Sequence, residues 1–572
     1  MASVSNIFDS DSEEEEFFGF STNDIARADI SGESDISADE SFTEDEESDS
    51  NSVESGGEED WSDDLDFVIV EDFNKPTGPT TVLPATATAG DFLNLVFPED
   101  LIQLIVDETN RNARQKQQQS GTVDKDWMPV NNSDIKAFFA IRFIQGINSL
   151  PSERHFWSKN PILGNVKVQN VMSRNRYLKI NTYLHFNDSL TALPREDVNH
   201  DKLHHIRPLI DRLAETFAAQ YMPSRENAID EGLVKFKGRL GFKQYMPMKP
   251  IKRGIKVWMR ADSITHFVSR FQVYTSRPRG GQEHGLRERV VTELSSDLED
   301  GYYHLYFDNF FSTFRLMKSL LEKGIYATAT TRPNRKGFPA PLKNAKLSRG
   351  ESLVMQKSGI TACSWQDKKK VNFFTTNCQP NGQGTVQRRS RDGTLTDVNA
   401  PPCVSAYNKF MGGVDYADQK RGDYKIPIKS RRWYRYLAIF FIETAAVNAF
   451  ILRQLSPNHA RTTQLNFRLE LIDNLLGNYC SRKRSAGVME VADGKTHFPV
   501  KGPINRCMQC AKTGQRHRSS WRCALCDVTL CVGCFERFHS GQHNCLMSGQ
   551  YGGVRNLNLK DSAKIKMLDL LL

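Results

Sequence analysis

Long apolar runs are missing from this 572-residue chain: no stretch reaches the ~18–20 consecutive apolar residues that a bilayer span needs. No membrane partner is therefore expected. The N-terminus lacks the cationic start of a secretory signal or transit peptide, so an intracellular protein is the expectation. Basic residues are nearly absent from residues 1–72, where Arg27 stands alone against 26 Asp and Glu. That segment carries −25, and the other 500 residues carry +31 from 74 basic and 43 acidic side chains. No internal repeat is visible. A basic body beside an acidic tail suits a polyanionic partner, and nucleic acid is the commonest.

Hydrophobic content of 39% and charged content of 25% are those of an ordinary soluble globular protein. The length calls for several domains. Residues 1–72 have too little apolar surface to offset chain entropy and read as disordered, with a linker over 73–90. The run Asp9-Ser10-Asp11-Ser12-Glu13-Glu14-Glu15-Glu16 would suit an acidophilic serine kinase, or it is a solvating tail.

Helical spacing runs from 91 to 225. Phe92, Leu93, Leu101, Ile102 and Ile105 lead into a helix capped by Ser133 and carrying Ile135, Phe138, Phe139 and Phe143. Ile206, Leu209, Ile210, Leu213 and Phe217 share a later helical face. After 225 the period changes to two, as in Ile255, Val257 and Met259. The predicted order over 226–331 is three strands, helix, strand, helix, strand, with Ser312 capping the second helix. That is the order of a ribonuclease H-like α/β fold with a mixed sheet. Residues 332–403 read as a β-rich insertion, and 404–456 as the second part of the catalytic domain, with Arg431, Arg432 and Trp433 opening a long helix. A helical, basic linker follows over 457–500, then a cysteine-rich domain over 501–550 and a tail over 551–572.

Phosphodiester cleavage needs an activated hydroxyl or water and a neutralised leaving oxygen. Two divalent ions ~3.5–4 Å apart do both, held by about three carboxylates from distant parts of the chain. Asp230 lies in the first strand beside Glu231, and Asp308 ends the fourth, so the two would be neighbours. Asp415 opens a helix after Gly412-Gly413-Val414, and Asp418 lies one turn on. Each also has a structural reading: Asp308 as a turn residue, Asp415 as a cap. A lone Asp230 on an apolar strand would be costly.

At these residues the chain resembles the piggyBac-type transposases, over about 92–545. The motifs are IDEGLVKFKGR with Asp230, FDNFFSTFRLMKSLLEKGIYATATTRPNRKGFP with Asp308, YNKFMGGVDYADQ with Asp415 and Asp418, and RRWYRYLAIFFIETAAVNAFIL with Trp433 and Asn448. The resemblance implies a helical dimerisation and DNA-binding domain over 91–225 ahead of a catalytic domain with three aspartates and a β-rich insertion. It makes Asp230, Asp308 and Asp415 ligands of two Mg²⁺ ions, and Asp418 an auxiliary acid. It implies nicking at the transposon end, a hairpin intermediate, integration at TTAA and a homodimer working in the nucleus. The candidate DNA contacts are Lys235, Lys237, Arg239, Arg431, Arg432 and Trp433. The alternative is a domesticated DNA- or chromatin-binding protein that no longer cuts.

Seven of eleven cysteines fall within 507–545. Paired C-x-x-C units suit tetrahedral zinc, and disulfides are disfavoured inside cells. An interleaved arrangement is expected: Cys507, Cys510, Cys531 and Cys534 on one zinc ion. The second ion would take Cys523, Cys526, His539 and His543, with Cys545 as rival to His543 and a sequential pairing as the alternative. The resemblance assigns this domain to transposon-end recognition, and a protein- or histone-binding module competes. Lys501, Lys512, Arg516, Arg518, Arg522 and Arg537 favour DNA. Ser481-Arg482-Lys483-Arg484 reads as part of a nuclear localisation signal.

Overall fold

The computed structural model describes residues 61–246, 251–275, 285–389, 394–480, 499–524, 527–535 and 538. The kinase run, the basic run 481–484, Cys526, Arg537, His539, His543 and Cys545 lie outside them. The chain divides into two compact units, one ending at Tyr479 and one starting at Cys480.

In the first unit the helices come first: α1 (Ala89–Val96), α2 (Glu99–Ser120), α3 (Asn132–Ile147), α4 (Arg174–Tyr183) and α5 (Arg207–Ala219). The cap of α3 is Asn131, two residues before the expected Ser133. Its carboxamide accepts the Asp134 N–H while the Asp134 carboxylate accepts the Asn131 N–H, a reciprocal capping box.

Then come β1 (Glu226–Lys235), the two-residue β2 (Gln244–Tyr245), β3 (Arg253–Asp262) and β4 (Val268–Val273). They are followed by α6 (Leu286–Leu294), β5 (His304–Phe307), α7 (Phe314–Glu322) and β6 (Tyr326–Thr331). Thr313, one residue past the expected Ser312, caps α7 by accepting the Leu316 N–H. Strands β7 (Ser352–Lys357), β8 (Ile360–Gln366) and β9 (Lys370–Thr375) come next.

All nine strands form one mixed sheet, ordered β2-β3-β1-β5-β6-β9-β8-β7, with β4 also pairing β3. β1 is antiparallel to β3 and parallel to β5, and β5 is parallel to β6. Residues 332–403 are thus only partly a separate insertion. β9 pairs antiparallel with β6 from Asn372↔Thr331 to Thr375↔Thr328, so three of its strands extend the central sheet. Only β10 (Gly384–Arg389) and β11 (Leu395–Ala400) form a hairpin of their own.

Period-2 alternation gives the sheet two covered faces. Val257, Met259 and Ala261 point into a core shared with helices, while Trp258 points into a second core with Val290, Leu305, Phe307 and Leu316. After the sheet come α8 (Pro402–Phe410), α9 (Gly413–Gly422), α10 (Trp433–Leu455) and α11 (Gln464–Leu476). Helix α10 is long and apolar enough to cross a membrane, but 89% of its most apolar stretch is buried inside the protein. It packs with Phe92, Phe138, Leu209 and Leu471 in one core. The helical domain expected over 91–225, the second catalytic part and the first part of the linker, 457–479, are therefore not separate bodies, because none buries its apolar stripe alone.

The disorder expected over 1–72 does not hold for 61–72, the part of that segment among the described residues. From Trp61 the chain is an extended strap. Ser62 bridges to Gln356, the Val68 backbone exchanges hydrogen bonds with the Gln379 carboxamide, and Trp61 stacks on Phe374.

Candidate active site and metal centres

β1 and β5 run parallel with Glu226 opposite His304 and Ile229 opposite Phe307. The next residue on each strand is an aspartate, Asp230 and Asp308. Adjacent strand residues ordinarily face opposite sides, yet the Asp230 carboxylate accepts the Glu231 N–H at 2.7 Å. As a result carboxylate oxygens of Asp230, Glu231 and Asp308 lie within 4.8 Å of one another. Asp308 also accepts the Phe310 N–H at 2.9 Å, so the turn reading and the ligand reading hold together.

Asp415 is the third residue of α9 and is exposed. Helix α9 reaches the sheet because of Gly413: a Cβ there would lie 3.2 Å from Ala228 Cβ and 3.3 Å from the Ala261 and Asp262 carbonyl oxygens. Asp415 is not in the compact three-carboxylate group. Its charge acts on the same group as those of Asp230 and Asp308, the Tyr407 hydroxyl on α8. Burial pushes that hydroxyl well above its usual range, Thr330 opposes through a hydrogen bond, and Asp308, Asp230 and Asp415 push it up further. The charges of all three aspartates thus act on one half-buried tyrosine hydroxyl.

Asp418 is also outside the compact three-carboxylate group. It accepts from Arg421 at 3.0 Å, and its carboxylate would sit 3.5 Å from a Cβ on Gly232 of β1. Arg421 stacks over Phe440 at 4.1 Å and lies 3.9 Å from the buried Glu443. Those contacts make Asp418 an anchor of α9 against β1.

Sequence reasoning passed over several groups at this site. Lys256 Nζ lies 3.8 Å from Glu231 Oε2 and 4.4 Å from the Phe310 ring centroid. Arg335 donates to the Asn309 and Phe310 carbonyls, and Arg332 to the Asn309 side chain. The cations hold the Asp308 turn in place. Alternation put Lys256 on a strand facing solvent or core alike; only the pairing of β1 with β3 shows it meeting Glu231.

Of the candidate DNA contacts, Lys235, Lys237 and Arg239 are exposed at the end of β1 and in the turn after it. Lys235 is five strand residues, about 17 Å, beyond Asp230. Trp433 packs edge-on against Phe242 at 5.2 Å, which brings the start of α10 to the same turn. Arg431 is exposed; Arg432 is half-buried and donates to the Tyr434 hydroxyl at 3.1 Å. Asn448 has a structural role: its carboxamide accepts the Val268 N–H at 3.1 Å and donates to the Val268 carbonyl at 2.9 Å.

In the second unit, β12 (Pro499–Arg506) and β13 (Arg518–Cys523) pair antiparallel. Beside them the Sγ atoms of Cys507, Cys510, Cys531 and Cys534 lie within 4.8 Å of one another. Burial alone would push the Cys507 thiol up; the Cys510 and Cys531 amides outweigh it and bring the thiol to about 7. Cys534 foremost, and then burial, push Cys510 up to about 12. Four thiols this close resist joint ionisation unless a cation neutralises them. Of the expected second set only Cys523, buried, falls among the described residues.

Known proteins give these features a family. The family model described as Transposase IS4 matches residues 88–450, well over half the chain. The human protein named PiggyBac transposable element-derived protein 3 is 28% identical over 482 residues, covering 81% of this chain and 78% of that one. The human PiggyBac transposable element-derived protein 2 is 29% identical over 389 residues, covering 65% of this chain and 63% of its own length. The solved structure described as a piggyBac transposase synaptic complex with hairpin DNA superposes with a TM-score of 0.62 at 26% identity, covering 71% of this chain and 83% of that one. The chain belongs to this transposase family and is of the piggyBac type.

Proposed function

We propose that this protein is a cut-and-paste DNA transposase whose ribonuclease H-like sheet presents Asp230, Asp308 and Asp415 to two Mg²⁺ ions. The observation that supports it most is the convergence of Asp230, Glu231 and Asp308 just past the point where two parallel neighbouring strands stop pairing, with the Asp415 charge acting on the same tyrosine hydroxyl as those of Asp230 and Asp308. The donor set fits, since hard divalent cations prefer carboxylate oxygens. Bound there, the ions would supply Lewis-acid stabilisation and an activated nucleophile.

The chain's own residues do the rest. Asp230 and Asp308 are held by strand register, Asp308 further by its turn and the Arg332 and Arg335 contacts. Lys256 balances Glu231 beside them. The exposed Lys235, Lys237, Arg239 and Arg431, with Arg432 and Trp433, form a basic path leading away from the acids, suited to a DNA backbone. Substrate and outcome follow the resemblance: ends cut by nicking and hairpin formation, insertion at TTAA, a homodimer, and work in the nucleus. The Cys507, Cys510, Cys531 and Cys534 cluster fits one structural zinc ion. A second would draw on Cys523 with residues beyond the described set, and the domain would read the transposon end.

The test is excision of a TTAA-flanked element by wild type and by Asp308→Asn. Loss of excision in the variant is expected, and equal excision would refute the catalytic role. A second reading is favoured by the absence of Asp415 from the compact carboxylate group: a DNA-binding protein that does not cut. Mg²⁺-dependent hairpin formation on an end oligonucleotide would rule that out.

A further inference from the structure

Away from the carboxylates, four elements of the helical core bring five basic side chains within electrostatic reach of one another. Lys116 comes from the last turns of α2, and His185 from just after α4. His205 comes from just before α5, and Arg432 and Arg435 from the start of α10. Tyr434 ties them together. Its hydroxyl receives Arg432 at 3.1 Å and lies 3.0 Å from His185 Nδ1, and its ring lies 5.3 Å from that of His205.

Arg435 is 8% exposed. One end of its guanidinium donates to the Thr182 and Leu184 carbonyls, both at 3.0 Å, while its buried Nε has no hydrogen-bond partner. Among the described residues no carboxylate pairs with Arg432 or Arg435. Nearby cations behave differently: Arg176 pairs with Asp134, Lys179 with Asp124, Arg142 with Glu153 and Arg111 with Glu108.

The cost of the cluster shows in its protonation. Burial foremost, then Arg432 and Arg435, bring Lys116 down to about 7. Burial, then Arg432, His205, Arg435 and Lys116, bring His185 down to about 2. Burial, then His204 and Arg432, bring His205 to about 4. Like charges kept together in a dry place are unfavourable unless an anion joins them. The start of α10 adds to the attraction, since no side chain caps its free N–H groups and the helix is 23 residues long.

We infer that Lys116, Arg432 and Arg435, braced by Tyr434, His185 and His205, form a seat for one phosphate group: a backbone phosphate of bound DNA, or a phosphate of a free polyphosphate. The seat deepens the DNA-binding part of the proposed function and does not depend on strand cleavage. Planar guanidinium pairs suit phosphate oxygens, and the ammonium of Lys116 adds a point charge.

The experiment uses the full chain and tripolyphosphate as probe, with melting temperature followed at constant ionic strength against chloride. Wild type should rise by about 2 °C or more once the probe exceeds its Kd tenfold. Arg432→Gln and Lys116→Gln should melt no lower than wild type in chloride, because a repulsion is relieved, and should lose the rise. A non-specific duplex is the second arm. A fall of about one in the slope of log affinity against log salt in these variants assigns the seat to a DNA phosphate. An unchanged slope with the tripolyphosphate rise lost assigns it to a free polyphosphate. No rise in wild type together with an unchanged slope overturns the seat. Because cleavage is not read, failure of the seat and failure of the transposase reading are separate results.

Discussion

Ile229 on β1 lies directly opposite Phe307 on β5 in parallel register, and each is followed at once by an aspartate. Both apolar side chains anchor in the core beneath α6 and α7. A one-residue slip of either strand would turn its acid to the other face. The packing of two apolar residues therefore sets the spacing of the two acids.

Glu231 should matter to cleavage although no motif singled it out. Glu231→Gln keeps the shape, removes the charge beside Lys256, and should lower excision by about 10–100-fold. The Mg²⁺ concentration for half-maximal nicking should rise with it. Wild-type excision with an unchanged Mg²⁺ requirement would remove Glu231 from the site.

Asn448 pairs with both backbone groups of Val268 in a place where water cannot substitute. Asn448→Leu leaves the strand's N–H and carbonyl unmatched and should cost about 2–4 kcal/mol. Denaturant unfolding checks this, and a midpoint equal to wild type would show the pairing to be dispensable.

Glu443 is buried, and burial foremost lifts its carboxyl from the usual 4.5 to about 7, against Arg421 and the Ile426 amide. The folded value lies above the unfolded one. The stability it contributes is thus fully present below about 4.5 and is lost as pH rises through about 7. Glu443→Gln should flatten the stability profile across that window, removing a change of roughly 3 kcal/mol. Parallel profiles for the two proteins would count against the assignment.

Zinc should be required only by the unit that starts at Cys480. Cys531→Ser should lower bound zinc, measured by elemental analysis, and abolish the melting transition of that unit. The transition of the larger unit should stay within about 1 °C of wild type. A full zinc content in the variant would dismiss the four-cysteine site.

Trp61 packs against Phe314, six residues past Asp308, and donates its indole N–H to the Gly337 carbonyl at 3.1 Å. The segment 1–60 that precedes it in sequence holds 21 Asp and Glu against one Arg. Deleting residues 1–60 should tighten non-specific DNA binding at low salt, and the gain should vanish at high salt. Equal affinities at 50 mM salt would argue against screening by the acidic segment.

The alternation of 255–260, the apolar stripes of the helices and the order of elements over 226–331, apart from the two-residue β2 that was not expected, were legible in the chain. Each is a local periodicity that burial on one face imposes. Asp230, Asp308 and the cysteine pairs at 507 and 531 stood out in the chain as candidates, since C-x-x-C spacing and an acid within or after an apolar strand run are short-range patterns. Ser133 and Ser312 were misplaced as caps by one or two residues, because several adjacent polar side chains could cap and backbone geometry chose Asn131 and Thr313.

What the sequence determined by itself is the set of amphipathic elements, the charge division and the identity of the metal-ligand candidates, all properties of neighbours along the chain. Tertiary structure alone decided that β7, β8 and β9 join the central sheet and that α10 and α11 share a core with α1–α5. It also set Asp418 against Arg421, and Lys256 and Glu231 together at the acids. Apart from the Asp418–Arg421 pair, three residues apart on one helix, those outcomes depend on strand pairing and helix packing between residues tens to hundreds of positions apart, where contact energy rather than local periodicity decides.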